Sequence, residues 1–240
     1  MQPNSAPLLS ADAPHPRYAI YYAAAAGSAL DRFGTGLLGY DARSGNDLPF
    51  PGGVPPDWRA LTSDPRKYGF HATLKAPIAL APGTNEAALV IACANFAGTP
   101  RPIPVITPVV NSISGFIAVI PEEPSQELER LAADCVRAFD PFRAPLTPED
   151  RARRNPDRLT PRQRGYLDHW GYPYVMEEYR FHMTLTGRLE SERRPLVVDF
   201  LSKRFLSIGL TALPVDRIAL FRQADTDSRF RIVAEWPLRG

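Results

Sequence analysis

Alternation of apolar and polar positions along the chain predicts short strands divided by a few amphipathic helices. Aromatic and β-branched residues in RYAIYYAAA (Arg17–Ala25) predict a first strand. GSALDRFGTGLLG then offers Ser28 as a helix N-cap and Gly39 as its stop. The Gly-, Pro- and Asp-rich stretch Asp41–Asp64 reads as a long surface loop, and Lys67–Ala76 as a strand. A capped helix is predicted over Thr84–Ala97, followed by strands Ile103–Val110 and Gly115–Ile120. The clearest amphipathic helix is Ser125–Phe139, with Leu128, Leu131, Cys135 and Val136 on one face. After the Pro- and Arg-rich segment Asp140–Pro161 come a short helix near Gln163–His169, a strand Glu178–Arg188 and a helix Val197–Leu206. Val215–Gln223 and Arg229–Trp236 read as a closing strand pair. Hairpin neighbours mixed with helices favour an α+β fold with antiparallel sheet over a doubly wound parallel one.

Two of these strands carry nearly the same phrase: FHATL at Phe70–Leu74 and FHMTL at Phe181–Leu185. Residues two apart in a strand share a face. The first copy thus sets Lys67, His71, Thr73 and Lys75 on one side, and the second sets Arg180, His182, Thr184 and Thr186. Phe70, Leu74, Phe181 and Leu185 take the opposite, core-facing sides. Each polar face carries cations and hydroxyls with no carboxylate, a chemistry suited to an anion. At this composition about 0.2 His-x-Thr matches are expected, so two by accident is on the order of one in a hundred. A single copy reads as a pleat-tolerant surface strand; a pair points to a site.

The repeat, together with RYAIYY (Arg17–Tyr22), PRKYGFHATLKAP (Pro65–Pro77), FDPFRAPLTPED (Phe139–Asp150) and LTPRQRGYLDHWGYPYVMEEYRFHMTLTGRL (Leu159–Leu189), resembles the 2H phosphoesterase superfamily. It is most similar to a branch tied to phosphonate metabolism and often encoded beside carbon–phosphorus lyase genes. The resemblance implies a bilobal fold over residues 17–240, with two related lobes of antiparallel sheet and flanking helices around a central cleft. It also implies a cyclic phosphodiesterase that needs no metal or other cofactor. Histidine can give or take a proton near neutrality, so His71 and His182 would divide the general-acid and general-base roles, in an order the sequence leaves open. Thr73 and Thr184 would donate to the phosphoryl oxygens, and Lys75, Arg180 and Arg143 would add positive charge. The implied substrate is a small phosphorylated metabolite, for example a ribosyl 1,2-cyclic phosphate.

Composition narrows the alternatives. A net charge of +2 from 28 basic and 26 acidic residues argues against a general nucleic-acid coat but allows a local basic pocket. RNA-end processing of 2′,3′-cyclic phosphates, or RNA binding, is therefore the less favoured partner class. A zinc enzyme would need three or four ligands at metal spacing, and His71 and His182 have no nearby cysteine. A non-catalytic small-ligand module is the remaining class. Cys93 and Cys135 lie in apolar helical stretches and read as buried thiols of a reducing compartment. Residues 1–16 show neither a basic nor an apolar signal region and read as a loose tail. No run reaches the ~18 apolar residues that a bilayer span requires, so no membrane association is expected and the cytoplasm is the expected location. Arg143–Arg164 holds seven arginines against three acidic residues, which reads as a solvated surface or as a lid over the cleft. The aromatic stretch WGYPYV (Trp170–Val175) reads as a loop pinned to the core rather than as a stacking platform.

Overall fold

A computed structural model describes residues 16–240, so the expectation of a loose tail lies, but for its last residue, outside the described residues. The chain opens with β1 (Arg17–Tyr22) and α1 (Ala29–Leu38). As the sequence suggests, the Ser28 side chain accepts from the Asp31 N–H, and Gly39 ends the helix with a left-handed φ of 65°. The loop that follows contains two short helices, α2 (Trp58–Leu61) and α3 (Ser63–Arg66). Then come β2 (Ala72–Ala79) and α4 (Glu86–Gly98), which is capped by Asn85. The Thr84 hydroxyl donates to the Ala81 carbonyl. β3 (Val105–Ile106), β4 (Pro108–Ile113) and β5 (Phe116–Pro121) precede α5 (Gln126–Phe139), whose cap is Ser125. The Arg-rich segment folds into α6 (Pro148–Arg153) and leads to α7 (Pro161–Trp170). β6 (Met183–Thr184), α8 (Arg194–Leu206), β7 (Leu213–Pro214), β8 (Arg217–Gln223) and β9 (Arg231–Pro237) complete the fold.

Seven strands form one sheet in the order β4-β5-β6-β2-β1-β8-β9, and β3 pairs with β7 beside it. All of its pairings are antiparallel, so the α+β class holds. The sheet is pinched between β2 and β6, which share the single register pair Ala72↔Met183. On one side of this seam lie β4, β5 and β6, and on the other β2, β1, β8 and β9. Each half contributes one copy of the repeated phrase at the seam itself.

The two faces of the sheet differ. On one, Tyr18, Ile20, Tyr22, Ala72 and Leu74 join Leu89 and Cys93 of α4, Leu128 and Leu131 of α5 and Leu201 of α8 in the main core. Phe70, Leu74, Phe181 and Leu185 are all buried in that core, as alternation requires. Fully burying such a side chain stabilises by roughly 1.5–3 kcal/mol, so the apolar letters of both phrases anchor their strands. On the other face a smaller cluster, including Tyr21, Tyr40, Phe221 and Phe230, leaves room beside it. That room holds the site.

Candidate active site

The Ala72↔Met183 pair sends two fully buried side chains into the main core. Their neighbours must therefore point to the opposite face. Continuing the register sets His71 opposite Thr184 and Thr73 opposite His182, so each histidine faces the threonine of the other phrase. Cross-strand neighbours on one face have Cβ atoms about 4.5–5.5 Å apart. The two rings are near enough that His182 acts electrostatically on His71.

The backbone fixes both imidazoles in the same way. His71 Nδ1 lies 2.9 Å from the Gly69 carbonyl, and His182 Nδ1 lies 2.7 Å from the Arg180 carbonyl. A carbonyl only accepts, so each Nδ1 carries its proton and each Nε2 is left as the titrating atom. At Gly69 the backbone has a φ of 77°, and a Cβ there would stand 2.8 Å from the Ala42 Cβ. A glycine is needed at that position.

The environments of the two rings differ. Tyr21 stacks on His71 with ring centroids 3.8 Å apart, whereas His182 meets the Phe116 ring obliquely at 5.4 Å. Burial pushes the His71 pKa down to about 4; the Gly69 carbonyl opposes this shift and His182 adds to it. Burial also lowers His182, against the pull of the Arg180 carbonyl. Thr73 Oγ1 stands 3.4 Å from His71 Nε2, too long for a strong bond and open to a ligand.

A cavity of about 400 Å³ opens on this face, lined by His71, Thr73, Thr184, Arg143 and, from β1, Arg17 and Tyr21. Arg143 is held there by Asp140, through Nε at 2.8 Å and Nη2 at 3.2 Å, and by the His169 carbonyl at 2.9 Å. The Arg-rich segment thus borders the cavity, with Arg153 and Arg154 on its wall. Tyr172 also lines it, which corrects the core reading of WGYPYV for that ring, while Pro173 and Val175 are buried as expected. Sequence reasoning missed Arg17, Tyr21, Tyr68 and Tyr172 as cavity residues. Tyr21 was findable, because strand alternation sets it opposite the core-facing Ile20.

Two expected contributors do not join this face. Register runs Ile20↔Lys75 and then Tyr21↔Thr73, so a β-bulge skips Leu74 and breaks the alternation. Lys75 is turned to the helix side, where it is 3% exposed and binds Asp140 Oδ1 at 2.7 Å and the Val136 carbonyl at 3.3 Å. Burial lowers its pKa despite that carboxylate. The Arg180 guanidinium donates to the Glu177 and Tyr179 carbonyls and lines a separate groove with Phe181 and Glu122. Its carbonyl, rather than its charge, reaches the site.

The outer letters fail for related reasons. Lys67 sits in the turn before β2, not in the strand. Thr186 is fully buried; it accepts from the Ile117 N–H at 3.1 Å and donates to the Gly187 carbonyl at 2.9 Å. The predicted strand Glu178–Arg188 shrinks to Met183–Thr184 because a 3-10 turn precedes it. After Thr184 the Leu185 and Thr186 N–H groups both donate to the Ile117 carbonyl, which ends the regular ladder.

A family model described as "Protein of unknown function (DUF1045)" matches residues 73–231. The chain belongs to that family. Two curated relatives of this DUF1045 chain are both called "Ribose 1,5-bisphosphate phosphokinase PhnN". The protein of Janthinobacterium sp. (strain Marseille) is 39% identical over 227 residues, covering 92% of this chain and 49% of the relative. That of Laribacter hongkongensis (strain HLHK9) is 32% identical over 229 residues, covering 90% and 50%. The DUF1045 chain thus spans about half the length of the curated relatives it matches. Among solved structures, E. coli LigT in apo form is similar at 14% identity and a TM-score of 0.44, covering 95% of this chain and all of that one. A structure described only as a phosphoesterase is similar at 13% identity and a TM-score of 0.43, covering 93% of this chain and 98% of that one. No described helix is long and apolar enough to cross a membrane. Among the described residues no three His, Cys, Asp or Glu are grouped to hold a metal ion.

Proposed function

We propose that this chain is a 2H-type phosphodiesterase that opens a small cyclic phosphate, with His71 and His182 dividing the proton transfers and no metal required. The observation that carries the reading is the pair of Nδ1–carbonyl locks, which leaves each Nε2 as the titrating atom on one cavity-bearing face of the sheet. His71, the ring pushed down to about 4, is the general base; it takes a proton from water as the water oxygen attacks phosphorus. His182, less encased, is the general acid; it protonates the ring oxygen released as the P–O bond breaks. Thr73 and Thr184 donate to the nonbridging oxygens, and Arg143 supplies positive charge.

A ribosyl 1,2-cyclic phosphate is the favoured substrate, in keeping with the resemblance to the phosphonate-metabolism branch. The relatives' printed name, which refers to a ribose bisphosphate, supports a ribose phosphate as the product. A substrate panel in EDTA tests the reading. Turnover of ribosyl 1,2-cyclic phosphate above that of RNA ending in 2′,3′-cyclic phosphate is expected. Preference for the RNA ends would transfer the activity to RNA processing. Loss of turnover in EDTA with recovery on adding zinc or manganese would overturn the metal-free mechanism.

A further inference from the structure

Three aromatic rings surround the His71 imidazole. Tyr21 stacks on it with centroids 3.8 Å apart and planes 20° apart, while Phe221 and Tyr68 stand tilted at 5.9 Å and 6.1 Å. Tyr21, the nearest, is 1% exposed. Phe221 backs its ring at 4.8 Å and Phe230 at 6.3 Å, and Tyr68 in turn stacks on Phe230 at 5.2 Å. These rings are packed on one another in the smaller cluster of the sheet. Tyr21 therefore cannot swing away from His71 without opening a void behind it.

Strand pairing puts the ring there, and neither copy of the phrase encodes it. From the pair Ile20↔Lys75 an unbroken antiparallel ladder would set Tyr21 against Leu74 and toward the main core. The irregularity between Ile20 and Tyr21 sets it against Thr73 instead. Tyr21 then shares the face of Thr73 and lies diagonal to His71, within reach of an aromatic side chain. His71 Nδ1 donates to the Gly69 carbonyl, but a single hydrogen bond leaves the plane of the imidazole free to tilt. A parallel ring at 3.8 Å removes that freedom. His182 has the same lock, to the Arg180 carbonyl, but the Phe116 ring meets it tilted by 55°.

We propose that Tyr21 is a positioning residue: its ring holds the His71 imidazole in one plane, shuts water from that side, and so makes His71 rather than His182 the proton acceptor. In assigning an acceptor this rests on the proposed phosphodiesterase function. The ring acts through its face and its bulk, not through its hydroxyl. A π face by itself favours a charged imidazole, yet the His71 pKa lies at about 4, with burial as the largest cause. Exclusion of water by the aromatic wall therefore outweighs the attraction of the ring. Among the other groups on this face, the Gly69 carbonyl opposes the shift and His182 adds to it. Burial also holds the Tyr21 phenol well above its ordinary value of 10; Tyr68 and Tyr172 add to that, and Arg17 and Arg154 oppose it. The phenol stays neutral, so it brings no charge of its own to His71.

The test reads the proton directly, by nitrogen-15 NMR titration of the histidine side chains in the full chain without substrate. In the wild type His71 should titrate well below His182. Tyr21→Ala and the strand-compatible Tyr21→Thr should each raise the His71 midpoint by at least about a full pH unit and move His182 by less than half as much. Tyr21→Phe keeps the ring and should leave both midpoints in place. An unmoved His71 midpoint in the truncated variants, or an equal shift in Tyr21→Phe, overturns the proposal. Where truncation unfolds the chain, the wild type decides: the carbon-bound protons of the His71 ring should lie upfield of those of His182 through the Tyr21 ring current, and coincident shifts or coincident midpoints overturn the proposal. In kinetics on ribosyl 1,2-cyclic phosphate, Tyr21→Ala should lower the maximum of kcat/KM by about 4- to 10-fold, because two groups with one midpoint hold a given one-proton arrangement no more than about a quarter of the time. Turnover with an unmoved midpoint overturns the role of Tyr21 and leaves the phosphodiesterase reading standing. A moved midpoint with no turnover even in the wild type sinks the phosphodiesterase reading and leaves Tyr21 as the residue that sets the His71 proton.

Discussion

The two copies of the phrase share their letters but not their surroundings. His71 precedes an eight-residue strand and lies under Tyr21; His182 precedes a two-residue strand and meets the oblique ring of Phe116. The shared parts are the backbone lock two residues upstream, the threonine two residues downstream and the buried flanking apolar residues. One more shared feature is less visible. The residue four after each histidine, Lys75 or Thr186, leaves the face and is buried in a structural role. What differs is the shielding of each imidazole from water, and desolvation decides how readily the ring takes a proton. Under the proposed function, a repeated motif would hold one phosphate from two sides while its two histidines do opposite proton work.

The most severe way to break the comparison is to remove each histidine. His71→Ala and His182→Ala should each lower kcat about 10²–10⁴-fold in steady-state assays. The double variant should lose little more than the worse single one, because the two act as a unit. Thermal melts of all three should remain cooperative. A single variant with normal turnover would remove the two-histidine mechanism.

A smaller effect separates Thr184 from Thr186, two residues apart in the same phrase. Thr184→Val should cost about 10²–10³-fold in kcat, the range for a lost donor to a developing oxyanion, without changing the melt. Thr186→Val should leave kcat nearly intact but destabilise by about 1–3 kcal/mol in urea unfolding, because the buried Ile117 N–H loses its acceptor. Reversed results would mean that the face has been misassigned.

The pH profile sharpens the contrast between the rings. Under the proposed division of roles, the productive free enzyme would have His71 neutral and His182 protonated. His71 is neutral above about 4, and His182 loses its proton below the ordinary histidine value of 6.5. The profile of kcat/KM should therefore be a bell on the acid side of 6.5, falling on its alkaline limb as His182 deprotonates. A bound phosphate stabilises the imidazolium, so the alkaline limb of kcat should lie higher. A kcat/KM that rises through pH 8 would rule out this assignment of acid and base.

The mildest test concerns Lys75. Lys75→Met removes the ammonium from Asp140 but leaves Arg143 to hold that carboxylate. Stability should fall by about 1–3 kcal/mol in urea unfolding, less than the 3–5 kcal/mol of a buried ion left with no partner. KM should rise only a few-fold, because Arg143 keeps its bonds to Asp140 and to the His169 carbonyl.

Sequence by itself determined whatever depends on local geometry. Alternation put His71 and Thr73 on one face of the sheet and Phe70 and Leu74 in the core, and it did the same for His182, Thr184, Phe181 and Leu185. Local capping chemistry placed Ser28 and Ser125 at helix starts. Only the tertiary structure decided where alternation stops. The bulge at Leu74 is set by pairing with β1, and the end of β6 by the Ile117 carbonyl, so Lys75 and Thr186 could not be placed from their own strands. It also decided which charges gather. Arg17 and Arg154 lie 137 positions apart in the chain yet line the same cavity. That neither has a carboxylate partner among the described residues has no signature in sequence, because a charge's partners are set by the folding of distant segments.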